Sequence, residues 1–152
     1  MQFSEFDLDT KLLDAIDKMG YEKPTSIQQQ AIPEALQGRD ILASAPTGTG
    51  KTAAYGLPLL NMIDPSNKKI QGLILCPTRE LGKQVAKQLF KFTKYASKIF
   101  TEAVYGGEKI DRQMNNLKRT THIVAATPGR LIDLIKREPD KFKKDIIKGR
   151  DK

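Results

Sequence analysis

The chain has 152 residues and a mass of 17.0 kDa, enough for one domain with a real core. A formal net charge of +8 makes a polyanion the natural partner, the plainer alternative being a solvated lysine-rich surface. One cysteine excludes an internal disulfide and suits a reducing, cytoplasmic interior, with the nucleus as a second option in a eukaryote; a single cysteine and a single histidine leave no zinc constellation, and no apolar run approaches the length of a membrane span.

Apolar residues at Leu8, Leu12, Leu13, Ile16 and Met19 follow the three- and four-residue spacing of an amphipathic helix, which Gly20 ends. A short helix capped by Thr25 or Ser26, with Ile27, Ala31 and Ile32 inward, is predicted before Pro33. From Asp40 the pattern changes. Ile41–Ser44 reads as a short apolar strand, Lys51–Ile63 as a helix in which Pro58 marks a kink or an end, and Gly72–Cys76 as a second strand. Leu81–Tyr95 is the next helix, Phe100–Tyr105 a third strand, Lys109–Lys118 a helix, His122–Ala126 a fourth strand, and Pro128–Arg137 opens the last helix. Such alternation predicts an α/β domain with a mostly parallel sheet and helices on both faces. Cys76 is expected as buried filler and His122 at the surface. Residues 136–152 carry eight Lys or Arg and four Asp or Glu, and read as a frayed helix or a disordered tail.

Between the first strand and its helix lies Ala45–Thr52, APTGTGKT. Gly48 and Gly50 permit the tight turn that aims successive amides at one point, and the following helix adds its unpaired N–H groups. Lys51 would reach the β- and γ-phosphates of a nucleotide and Thr52 a magnesium ion. The usual pattern starts with glycine, where this chain has Ala45. Ala45, Pro46, Thr47, Gly48, Thr49, Gly50, Lys51 and Thr52 are therefore the candidate phosphate-binding residues.

Four further segments accompany the loop: Gly20–Gln28 (GYEKPTSIQ), Pro77–Leu81 (PTREL), the pair Gly106–Gly107, and Thr127–Arg130 (TPGR). Together they resemble the first RecA-like domain of the DEAD-box RNA helicases, from Phe3 to about Arg137. The resemblance implies a RecA-like P-loop fold, ATP and magnesium as ligands, and RNA as partner. It implies that Gln28 reads adenine, that Tyr21 packs on the base with Phe3 behind it, and that Thr25 braces the phosphate loop; Phe3 and Tyr21 could equally be core. Residues 1–39 would then be an adenine-recognition segment packed on a domain of residues 40–137, with a basic tail over 138–152.

On the nucleic-acid side, the resemblance implies that Pro77, Thr78 and Arg79 contact an RNA backbone or hold the loop that does. Gly106 and Gly107 would approach a phosphate, and Thr127, Pro128, Gly129 and Arg130 would form a second clamp, with Gln113 in support. The alternative for Arg79 is an ion pair with Glu80, which is otherwise expected to position Arg79 or Arg130. Contacts of this kind bind without reading bases.

The family's Asp-Glu-Ala-Asp strand end, which holds magnesium and orients the attacking water, does not occur in these 152 residues, and neither does the second RecA-like domain. The expectation is a portion of an ATP-dependent RNA helicase that separates short duplexes when complete. By itself it should bind adenine nucleotides weakly, turn them over negligibly and expose a raw apolar sheet edge. The alternative is a nucleotide- or RNA-binding module without helicase activity.

Overall fold

The computed structural model describes residues 1–46, 48, 50–94 and 98–137. The basic segment 138–152 lies outside the described residues. The chain divides into two units: Met1–Met62 with Lys91–Lys98, and Ile63–Phe90 with the chain from Ile99 onward.

In the first unit, a 3₁₀ turn at Phe3–Glu5 leads to helix α1, Thr10–Lys18. Asp9 caps α1 by accepting the Lys11 amide at 3.0 Å, and its own N–H donates to the Asn61 side-chain oxygen at 2.7 Å. Leu12, Ala15 and Ile16 face inward, and Gly20 closes the helix at φ +81°. Helix α2 (Ser26–Leu36), capped by Thr25, packs on helix α3 (Lys51–Met62). Both run through a proline expected to be a boundary or a kink. Pro33 and Pro58 each forfeit one hydrogen bond, but Ala31 and Ile32 in α2 and Leu57 and Leu60 in α3 are buried. Tertiary burial of this size outweighs the local penalty.

The expected strand at Ile41–Ser44 is absent: these residues have no regular secondary structure, and Ile41 and Leu42 are 43% and 104% exposed. A strand exists only as part of a ladder, and no described strand pairs with this segment.

The second unit holds three parallel strands, β1 (Gly72–Leu75), β2 (Thr101–Val104) and β3 (Ile123–Ala126), in the order β1-β3-β2. The chain leaves β1 through helix α4 (Arg79–Thr93), reaches β2, and returns through α5 (Ile110–Leu117) to place β3 between them; α6 (Pro128–Arg137) follows. All four residues of β3 are buried, so both faces of the sheet are covered at its central strand. Ile70, Val104, Leu117, Val124, Ala126, Leu131 and Leu134 form the core on one face. At the end of β1, which among the described strands pairs on one side only, Leu75 is 58% exposed. Cys76 is buried as expected, and burial pushes its thiol pKa up.

His122 departs from its expected surface position and is only 1% exposed. Its Nδ1 accepts the Phe100 amide at 3.0 Å, and its Nε2 lies 3.1 Å from the Pro65 carbonyl oxygen, which can only accept. The proton therefore sits on Nε2. With both nitrogens satisfied and the Phe100 ring stacked against it, the imidazole can be buried.

Candidate functional site

The first unit assembles the residues of the phosphate loop and of the segment before α2. Thr25 and Gln28 form a reciprocal cap: the Gln28 amide donates to Thr25 Oγ1 at 3.4 Å, and the Thr25 amide to Gln28 Oε1 at 3.0 Å. Gln28 Nε2 then donates to the carbonyl oxygen of Gly50 at 3.2 Å, immediately before α3 begins. The approach is so close that a Cβ on Gly50 would collide with that same nitrogen. Gly48 and Gly50 adopt φ of +85° and +82°, backbone that L side chains rarely take. Lys51 is exposed and Thr52 half-buried on the first turn of α3, where the leading amides have no intrahelical acceptor. Ala45 is half-buried and Pro46 exposed, whereas Thr47 and Thr49 lie outside the described residues.

Two positive-φ glycines, a helix N-terminus and a lysine thus lie within four residues, a set of groups suited to an anion. The loop does not by itself fit a resident magnesium ion. Among the described residues no group of three or more His, Cys, Asp or Glu could hold a metal, and Thr52 offers a single oxygen. Tyr21 is half-buried, its ring 6.1 Å from that of Phe3 and 5.9 Å from that of Phe92, with Phe6 edge-on to Phe3 at 5.9 Å. Phe3 is thus a core residue that also supports Tyr21.

The second unit gathers the other set around Tyr105. The Arg79 guanidinium carbon lies 4.8 Å from the Tyr105 ring centroid and Lys83 Nζ 5.2 Å from it. Arg79 pairs with Glu108 at 3.7 Å and not with Glu80, which is exposed. Arg130 donates to Gln113 Oε1 at 3.0 Å and to the Glu108 carbonyl oxygen at 2.9 Å, and Gln113, itself buried, donates to the Tyr105 carbonyl oxygen at 2.9 Å. The positioning expected of Glu80 thus falls to Glu108, because the turn after β2 brings Glu108 to both arginines. Thr78 is exposed and caps α4, its hydroxyl accepting the Leu81 amide at 3.3 Å; Pro77 beside it is exposed. Gly107 has φ +90°, and a Cβ there would stand 3.5 Å from Arg79 Nη1, whereas Gly106 and Gly129 face open space. Thr127 donates its amide to the Val104 carbonyl oxygen at 3.0 Å, and exposed Pro128 starts α6.

The DEAD/DEAH box helicase model matches residues 25–147. The chain belongs to the DEAD/DEAH box helicase family. It is 47% identical over 136 residues to the ATP-dependent RNA helicase CshA of Listeria monocytogenes and 47% identical over 135 residues to the ATP-dependent RNA helicase DeaD of Klebsiella pneumoniae. Those alignments cover 90% and 89% of this chain but only 26% and 21% of the relatives, so the chain spans about a quarter of their length. Among solved structures, a DEAD box protein from the hyperthermophile Methanococcus jannaschii superposes with a TM-score of 0.84 at 40% identity, over 90% of this chain and 37% of that one. A hypothetical ATP-dependent RNA helicase from Sulfolobus tokodaii gives 0.76 at 38% identity, over 86% and 37%.

This DEAD/DEAH box helicase domain has the RecA-like α/β fold, a mostly parallel sheet flanked by helices. No helix among its described residues is long and apolar enough to cross a membrane. Sequence reasoning missed Tyr105, Lys83 and Glu108. Tyr105 follows a strand end, as Pro77 does, which was a usable signal; nothing in the spacing ties Glu108 to Arg79.

Proposed function

We propose that this chain supplies the ATP-binding surface and one RNA-backbone-binding surface of a cytoplasmic, ATP-dependent RNA helicase that separates short duplexes when complete. The observation that carries the reading is the bond from the Gln28 carboxamide to the Gly50 carbonyl oxygen, which ties a base-reading candidate to the phosphate loop. A carboxamide has two N–H donors and two oxygen lone pairs. Gln28 spends one donor on Gly50 and one lone pair on the Thr25 amide. The remaining pair suits the N6 donor and N7 acceptor of adenine. Tyr21, backed by Phe3, would pack on the base, and the loop residues Ala45–Thr52 would take the phosphates. Lys51 would meet the β- and γ-phosphates, and Thr52 would give one oxygen to a magnesium ion carried in with them.

For RNA, the reading is supported by Arg79, Lys83 and Arg130 standing about Tyr105 and Gln113, with Gly106 and Gly107 beside them and Thr78, Thr127 and Gly129 at the starts of α4 and α6. Cations, hydroxyls and free backbone bind phosphates with little preference for sequence. Nucleotide supplies the free energy of the cycle. ATP and RNA would each favour closure with a second RecA-like domain, and hydrolysis would reopen it.

For the isolated polypeptide, the absence of an Asp-Glu-Ala-Asp sequence favours binding without turnover. Titration with a fluorescent ATP analogue and magnesium, with GTP competition and phosphate release followed in the same samples, tests both statements. The expected result is saturable, adenine-selective binding and no phosphate release. Equal competition by GTP would sink the adenine assignment.

A further inference from the structure

Within the cationic surface around Tyr105 stands the acidic side chain of Glu108. Its Oε1 lies 3.7 Å from Arg79 Nη2 and 3.4 Å from the Tyr105 hydroxyl, which donates to it. One carboxylate oxygen thus faces a guanidinium and a hydroxyl donor together, the pairing that would receive a phosphate oxygen of a nucleic-acid backbone. The adjoining Gly107 holds positive φ and carries no side chain; a Cβ there would stand in contact with the guanidinium, 3.5 Å from Arg79 Nη1, whose side chain is 40% exposed.

The two arginines are held differently. Arg130 is engaged by Gln113 and by the backbone carbonyl of Glu108, neither of which carries a charge. Arg79 is held by the Glu108 carboxylate at long range, with side chains 40% and 31% exposed, so their pairing adds little to the fold and is readily exchanged. An incoming phosphate meets Arg79 already paired with an anion. We propose that Glu108 is an internal stand-in for a backbone phosphate, competing with RNA for Arg79 and setting the affinity of this surface below what its cations alone would give. This rests on the RNA-binding reading above.

The test is a double-mutant cycle read by fluorescence anisotropy with a labelled, single-stranded oligouridine, using the full chain and its Glu108→Gln, Arg79→Gln and doubly substituted forms. Glu108→Gln should tighten binding about threefold, within about 1.5- to fivefold for a partly exposed pair. The salt dependence of log K should steepen by about 0.7, one further phosphate engaged. In the Arg79→Gln background the same change should leave both nearly unaltered. Glu108→Ala, which removes the carboxylate without adding an amide, should act in the same direction as Glu108→Gln, and urea unfolding checks that each variant is folded.

Equal tightening in both backgrounds would show only the loss of one negative charge and would overturn the competition. Weaker binding by Glu108→Gln would mean that the carboxylate presents Arg79 to RNA, which also overturns it. If neither the folded wild-type chain nor folded Glu108→Gln binds RNA at low salt, the RNA reading itself fails and the proposal falls with it.

Discussion

Substituting Gly50 by alanine tests whether the phosphate loop is held in shape by Gln28. Gly48 supplies the control, because both glycines have nearly the same φ, +85° and +82°, but a Cβ on Gly48 meets nothing within 4 Å. Alanine at either position carries a left-handed backbone penalty of about 1–2 kcal/mol. Reduced freedom of the unfolded chain offsets it by about 0.4–1 kcal/mol. At Gly50 the new methyl also displaces the Gln28 amide nitrogen, lies 3.2 Å from its carboxamide carbon, and breaks the bond to the Gly50 carbonyl oxygen. Gln28 is only 3% exposed, so water compensates its displaced amide poorly and the lost bond adds about 1–3 kcal/mol. Gly48→Ala should thus cost roughly 1 kcal/mol and Gly50→Ala roughly 2–4 kcal/mol, measured by urea unfolding with unchanged slope. Equal losses at the two positions would refute the reasoning, since the bond from Gln28 would then contribute nothing.

His122→Leu should cost about 1–3 kcal/mol in the same assay, because it leaves the Phe100 amide and the Pro65 carbonyl without their imidazole partner; a neutral substitution would contradict the assigned tautomer network. Burial raises the Glu102 carboxyl above its ordinary 4.5, with the charge of Arg119 pulling it partly back. A raised folded pKa means that the contribution of Glu102 is fully present below about 4.5 and is lost as pH rises through the folded value. Glu102→Gln should therefore be more stable than wild type at pH 7 relative to pH 4, and a stability–pH curve parallel to wild type would exclude the effect. Lys51→Ala should weaken nucleotide binding by at least tenfold in the fluorescence titration, and Gln28→Ala should narrow the gap between ATP and GTP. A Gln28→Ala chain that rejects GTP as strongly as wild type would remove Gln28 from base recognition.

The turn glycines Gly48 and Gly50 and the helix start at Lys51 were legible in the sequence because their geometry is local and depends on residues a few positions apart. The same holds for α6 at Pro128–Arg137, for the Thr25 cap, and for the strands at Gly72–Leu75 and Thr101–Val104, where apolar spacing and flanking turn residues act over short range. Other features depended on partners distant in the chain. Ile41–Ser44 has strand composition but no ladder, Pro33 and Pro58 sit inside helices because the neighbouring turns are buried, and His122 is interior because Phe100 and Pro65 supply both of its partners. Glu108 and Arg79 meet only because β3 inserts between β1 and β2 and aligns the turns that follow the strands. Sequence by itself determined which segments can turn, coil or extend, since sterics and periodicity reach only a few residues. Which polar groups are satisfied, and which cation faces which anion, was decided by tertiary structure, because hydrogen bonds and charge pairs act between atoms that only folding brings together.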